Sequence, residues 1–309
     1  MTKIKIFLTG GDGMVGSNIR EAAHRSLYEI VYPNISELDL LDFCAVNEFF
    51  YKNAFDFVIH AAGIVGGIHA NIKNPVKFLV ENTEMAHNVI LSAKSHGVKK
   101  LLNLGSSCMY PRNATNPLKE SDILTGELEP TNEGYALAKI YAMRLCEYIH
   151  KEDEEYNFKT LIPCNLYGKY DKFGTGQSHL IPSVINKIHK AKENNINKVE
   201  IWGDGGARRE FMYVGDFANF IWFAIENYIR LPMVMNVGLG YDYTINQYYQ
   251  TVAEVMNFNG SFIHDLSKPV GMKQKLVDIT IQSQLGWKPT YSLAESIEAT
   301  YTFYKTLFR

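Results

Sequence analysis

The chain has little that would tie it to a metal, a membrane or an oxidising compartment. Its four cysteines, Cys44, Cys108, Cys146 and Cys164, stand far apart with no paired metal-ligand spacing, so neither a metal site nor a disulfide framework is expected. No secretory leader pattern opens the sequence, which with those cysteines predicts a reducing, cytoplasmic setting. No apolar run reaches the roughly 18 residues that a membrane helix needs, so no membrane partner is expected. An excess of one charge is missing too. The 31 basic and 33 acidic residues are interspersed to a net −2, leaving no field to attract nucleic acid, and any phosphate recognition must be local. Repeats and low-complexity segments are also absent.

What is present is the composition of a packed core, 46% hydrophobic over 309 residues, enough for one large domain or a nucleotide-binding half with a smaller partner. Short apolar runs at 4–9, 30–32, 57–61, 101–104 and 160–163 alternate with helix-length segments. This predicts an α/β fold, a Rossmann-type doubly wound parallel sheet whose strands are apolar because helices cover both faces. After Asn165-Leu166-Tyr167-Gly168 the rhythm changes: a polar, glycine-bearing stretch at 169–178 leads into a helix and then a strand at 199–203. A helix and a strand at 234–237 within 213–237 read as a return to the sheet, and 244–309 mixes helices and short strands. The expected organisation is a dinucleotide-binding domain at 1–168 with a return segment at 213–238. A smaller mixed α/β C-terminal substrate lobe is expected from 169–212 and 239–309, with the ligand at the carboxyl ends of the strands beneath it.

Gly10-Gly11-Asp12-Gly13-Met14-Val15-Gly16 follows the first strand directly and opens a helix. Gly10 suits the tight turn, Gly13 the close approach of a pyrophosphate and Gly16 close packing of helix on strand. Met14 and Val15 begin the helix whose N-terminus favours the anion. Ala61 and Ala62 end the third strand on the same side, with His60 as a cofactor-side packing residue. NAD and NADP are usually told apart at the end of the second strand, by an acid for the ribose hydroxyl or a base for its phosphate. Val31-Tyr32-Pro33-Asn34-Ile35-Ser36 offers neither. Asp39 borders the adenine or, like Asp42, caps a helix.

Gly105-Ser106-Ser107-Cys108-Met109-Tyr110-Pro111 follows the fourth strand, and Tyr135-Ala136-Leu137-Ala138-Lys139 stands downstream. A ketone that accepts hydride needs a proton on its oxygen, and a phenol lowered from about 10 by a nearby ammonium supplies one. The spacing sets Tyr135 and Lys139 one helical turn apart on one face. Ser106, Tyr135 and Lys139 therefore predict a nicotinamide-dependent enzyme working on a carbonyl.

Further marks are Glu129-Pro130-Thr131-Asn132-Glu133, Asn165-Leu166-Tyr167-Gly168, Ser178-His179, Trp202-Gly203 and Arg209-Glu210-Phe211. With these the sequence resembles, over nearly its whole length, the extended short-chain dehydrogenases/reductases and within them the GDP-L-fucose synthase family. The resemblance implies NADP(H) as cofactor, with NAD(H) still open, a GDP-linked keto-sugar as substrate, and a homodimer formed through helices flanking the sheet. It implies that Ser106 and Tyr135 hydrogen-bond the sugar's C4 oxygen, and that Lys139 depresses the tyrosine and holds the nicotinamide ribose. Cys108 and His179 would be the acid/base pair for epimerisation at C3 or C5. Ser107, Asn165, His179, Lys187, Trp202, Arg209 and Lys275 would contact substrate, Asn165 and Leu166 would also border the cofactor, and Asn82 would brace nearby backbone. Cys44, Cys146 and Cys164 read as core residues.

Three departures from the family bear on substrate and cofactor. Its arginine after the second strand is replaced by Asn34 and Ile35. Lys187 stands for an arginine, and Val270-Gly271-Met272-Lys273-Gln274 replaces a more polar segment, which allows a changed sugar such as a heptose. A reductase acting on an already epimerised sugar would keep the same residues. A 4,6-dehydratase would carry acidic residues where Ser107 and Cys108 stand, and a non-catalytic nucleotide sensor would have a broken tyrosine-lysine pair. Neither feature is found.

Overall fold

The computed structural model describes residues 3–24, 26–174, 178–268 and 272–308. Val270 and Gly271 of the departing segment, and 175–177 of the glycine-bearing stretch, lie outside the described residues. The strands are β1 (Ile4–Thr9), β2 (Tyr28–Val31), β3 (Phe57–His60), β4 (Lys100–Leu104), β5 (Asn157–Pro163), β6 (Asn165–Tyr167) and β7 (Lys198–Trp202). They continue with β8 (Arg208–Arg209), β9 (Phe211–Tyr213), β10 (Val234–Val237), β11 (Tyr243–Thr244), β12 (Ser261–Asp265) and β13 (Gln274–Lys275). Six of them form a parallel sheet in the order β10-β5-β4-β3-β1-β2, the doubly wound arrangement expected.

Both faces of this sheet are buried, which explains apolar runs without alternation. Ile6, Leu8, Ile59, Leu102 and Leu104 share one core with Phe217, Phe220 and Ile221 of the helix Val214–Glu226. Phe7, Val58, Leu101 and Phe158 face the other way, against Phe50, Val89, Ile90, Cys146 and Ile149. Each such side chain contributes about 1.5–3 kcal/mol on burial. A third core, beyond the carboxyl ends of the strands, joins Ile181, Val184 and Ile188 of the helix Leu180–Glu193 to Tyr248, Val252, Ile297 and Tyr304.

The strand bounds differ from the sequence reading for local reasons. β5 begins at Asn157, because Lys159 hides a strand inside a polar signal: its ammonium is buried and donates to the Tyr228 carbonyl at 2.7 Å. β3 stops at His60, because the next two amides turn away to the Thr9 hydroxyl. β2 spans Tyr28–Val31, which leaves Tyr32 just past its end, and β4 and β7 each start one residue early, on Lys100 and Lys198. Cys44 is exposed on the helix Phe43–Lys52, which corrects its expected place in a core, whereas Cys146 and Cys164 are buried. Among the described residues no helix is long and apolar enough to cross a membrane, and no His, Cys, Asp or Glu cluster suits a metal.

Glu210 ties the lobe to the sheet. Its carboxylate accepts backbone N–H bonds from Leu239 and Gly240, just beyond β10, and from Val277 at 2.9 Å. Burial pushes the carboxyl up from 4.5 to about 7, against the pull of these three donors. The folded chain therefore binds this proton more tightly than the unfolded chain, so the carboxyl's contribution is full below 4.5 and is lost as pH rises through about 7. Urea unfolding across this window should show the wild type losing stability relative to Glu210→Gln as pH rises. Parallel profiles would mean that the carboxyl does not titrate there.

Candidate active site

The glycine turn is built for close approach. Gly10 has a φ of 67°, and a Cβ on it would lie 2.8 Å from the Ala62 backbone. A Cβ on Gly16 would come within 2.2 Å of the Gly10 carbonyl oxygen. The helix Met14–Glu21 starts directly from Gly13 without a side-chain cap or an acidic residue in its first turn, so its N-terminal amides face the turn uncompensated. Val15 packs into the core behind. These residues fit a dinucleotide pyrophosphate.

Thr9, the last residue of β1, organises the neighbouring loop. Its Oγ1 accepts the amides of Ala61 and Ala62, both at 3.1 Å, and lies 2.9 Å from His60 Nδ1. With both incoming bonds accepted, the hydroxyl proton goes to Nδ1, which leaves the imidazole proton on Nε2. Burial, aided by the Lys139 charge, pushes His60 down to about 3, so the ring stays neutral. Asn82 Oδ1 accepts from Ile64 N at 2.8 Å and its amide donates to the Ile64 and Phe78 carbonyls, bracing the same loop.

The chemistry-bearing side chains meet at the carboxyl end of β4. Ser106 starts the short turn Ser107–Met109, and its hydroxyl accepts from Cys108 N at 3.4 Å. Ser107 and Cys108 are buried. From the first turn of the helix Glu133–Glu152, Tyr135 reaches the same place. Burial, with a smaller push from Cys108, drives its phenol up, and a side-chain hydrogen bond with Ser106 opposes this. Lys139, one turn on, donates to the Leu104 carbonyl at 2.9 Å, its ammonium 5.7 Å from the centre of the Tyr135 ring. Desolvation pushes it down to about 8. Desolvation of the phenol favours its neutral form, which runs against the depression expected from Lys139. Burial also raises the Cys108 thiol, opposed by Lys275, Ser106 and Lys139.

The lobe contributes cations. Arg209 on β8 and Lys275 on β13 are register partners, which sets two positive charges side by side. Burial lowers both, and each feels an acid, Asp242 for Arg209 and Glu129 for Lys275. Lys187 donates to the Glu200 carbonyl at 3.1 Å and lies 5.8 Å from the centre of the Trp202 ring. Trp202 is 43% exposed and donates to Glu200 at 2.8 Å. Asn165 on β6 donates to the Glu210 carbonyl at 2.9 Å, and Leu166 packs into the main core.

Two more expected residues stand at the start of a helix and in a turn. His179 occupies the N-cap position of the helix Leu180–Glu193 without a side-chain cap bond, and burial, with a smaller push from Lys172, lowers its imidazole. Asp39 is exposed and accepts Leu41 N at 2.9 Å, a turn contact, while Asp42 accepts Ala45 N as a helix cap. Sequence reasoning passed over Thr9, whose place before the glycine turn was its one signal. It also passed over His69 and Lys268, which lie 6.2 and 5.7 Å from the Trp202 ring and carry no motif.

The pattern of the NAD dependent epimerase/dehydratase family matches residues 6–238. A GDP-L-colitose synthase of Yersinia pseudotuberculosis is 54% identical over 301 residues, covering 97% of this chain and 98% of that relative. A GDP-L-fucose synthase of Azorhizobium caulinodans is 50% identical over 302 residues, covering 98% and 96%. A GDP-D-glycero-L-gluco-heptose synthase from Campylobacter jejuni, solved in the presence of NADPH, superposes with a TM-score of 0.92 at 30% identity, covering 99% of each chain. A GDP-mannoheptose C4 reductase from the same organism, with NADP bound, gives 0.89 at 30% identity over 99% of each chain.

Gly16→Ala tests the fit of the turn. Its methyl group would meet backbone, so the substitution should cost about 1–3 kcal/mol of stability and abolish dinucleotide binding in calorimetric titration. Undiminished binding would show that the turn does not seat the pyrophosphate.

Proposed function

We propose, since the chain belongs to the NAD dependent epimerase/dehydratase family, that it reduces the C4 keto group of a GDP-linked 4-keto-6-deoxy sugar with NADP(H) and epimerises the sugar beside that ketone. The observation that carries this reading is the single cluster at the end of β4, in which the buried Cys108 and Lys139 meet the half-buried Ser106 and Tyr135. Gly10, Gly13, Met14 and Val15 would hold the pyrophosphate end of the cofactor, with Ala61, Ala62, Asn165 and Leu166 along its path. When bound, the nicotinamide supplies the hydride.

The protein's own groups handle protons and charge. Tyr135, kept neutral by burial, holds the proton that the C4 oxygen needs, and Ser106 shares a hydrogen bond with it. The phenolate left behind gains from the Lys139 ammonium, which is charged below about 8. Cys108 and His179 act as the acid/base pair; burial holds thiol and imidazole uncharged, so each enters a step without a buried charge. Arg209, Lys275 and Lys187 bind the diphosphate, with Trp202 offering an aromatic face. GDP is common to the named relatives and neighbours while the sugar differs among them, so the GDP end is the better supported. The GDP-mannoheptose C4 reductase among the neighbours favours a second reading, C4 reduction alone of an already epimerised heptose.

A homodimer would use the helices Pro75–Ser95 and Glu133–Glu152, which pack on one another and still expose Val76, Val80, Leu137 and Tyr148. Four unpaired cysteines suit a cytoplasmic setting.

Tyr135→Phe should bind cofactor normally and lose at least about a hundredfold in reduction of GDP-4-keto sugars, followed by NADPH absorbance. Wild-type turnover would remove the phenol from the mechanism. Cys108→Ser should stop solvent deuterium entering C3 and C5, read by NMR of the product, while still reducing an epimerised substrate. Normal incorporation would rule out the thiol as one of the pair.

A further inference from the structure

We propose that Arg20 reads the phosphorylated ribose of the nicotinamide cofactor and that Asp12 restrains it, so that the chain accepts NADPH and NADH with only modest discrimination. The inference rests on the cofactor reading above and concerns the adenosine end, which none of the catalytic residues touches. Asp12 sits inside the glycine turn. Its Oδ1 lies 2.9 Å from Arg20 Nη1, in the last turn of the helix that the turn opens. The Arg20 guanidinium lies over Tyr32, 3.9 Å from the ring centre. Gly11 presses the turn against that tyrosine, since a Cβ on it would come 2.6 Å from Tyr32 Cβ. Tyr32 directly follows β2, the strand end at which a doubly wound sheet tells one dinucleotide from the other.

β2 and the segment after it offer no cation of their own. No lysine or arginine occurs between Ser26 and Tyr51, whereas Glu29, Glu37, Asp39, Asp42 and Glu48 do. The Asn34 side chain is spent on its own loop, its oxygen accepting Ser36 N and Oγ at 2.8 and 2.6 Å. A 2′-phosphate, a doubly charged group among these acids, needs a cation, and the Arg20 fork suits phosphate oxygens. To reach it the phosphate must share or displace a solvent-facing ion pair of small intrinsic worth, and Asp12 repels it. A plain ribose meets the opposite balance, because the Asp12 carboxylate accepts from its hydroxyls. Asp12 and Arg20 thus pull the two cofactors in opposite directions.

The test is direct binding, read from the fluorescence of NADPH or NADH as either is titrated into protein without any sugar. Wild type should bind both, with dissociation constants less than about tenfold apart. Arg20→Gln should weaken NADPH by about tenfold and leave NADH within about twofold, which also shows that the variant is folded. Asp12→Asn should tighten NADPH and weaken NADH, and added salt should erode the NADPH gain. Equal weakening of both cofactors by Arg20→Gln, no effect on either, or an unchanged NADPH-to-NADH ratio in Asp12→Asn would overturn the proposal. Failure of wild type to bind either dinucleotide would overturn the cofactor reading with it. Binding of both without turnover of any GDP-keto sugar would remove only the substrate reading.

Discussion

Lys139 donates to the Leu104 carbonyl from a fully buried position, and that bond pins the helix Glu133–Glu152 to the carboxyl end of β4. Everything chemical is placed relative to it. Tyr135 stands one turn earlier on the same helix, Cys108 follows the same strand, and the charge of the ammonium reaches the His60 ring across the sheet. Far from water, a charge of this kind acts strongly on its neighbours and is costly to leave unpaired, so one carbonyl acceptor both steadies the lysine and fixes the reach of its field.

The cofactor side depends on a smaller device of the same sort. One threonine hydroxyl at the end of β1 takes two amides and gives its proton to a histidine, joining the first and third strands just where the glycine turn needs the Ala62 backbone close by. The loop after β3 is thus held to the end of β1 by hydrogen bonds to a single side chain, and the missing Cβ atom of Gly10 lets the glycine turn meet it.

What the sequence disclosed was local, and what it withheld was not. The glycine turn, the spacing of Tyr135 and Lys139 and the apolar strands each lie within a few residues, so period and composition reveal them. Lys159 in the middle of β5 and the exposed side of Cys44 depend on which distant groups pack there. The pairing of Arg209 with Lys275 and the Glu210 tie join segments far apart in sequence. The state of Tyr135 divides in the same way: a nearby ammonium can be read from spacing, but the desolvation that favours the neutral phenol belongs to the assembled fold.

The sheet is completed late. β5 lies between β4 and β10, and β10 is made only after the chain has left for the lobe and come back. On a ribosome the growing polypeptide therefore carries a naked strand edge through the synthesis of that whole excursion, the kind of edge that recruits foreign strands. A fragment cut anywhere before Val234 keeps that edge permanently, so the part that carries β1 to β5 is not a module that can be excised at the first change of rhythm. Fusions and truncations have to carry the returning segment with them.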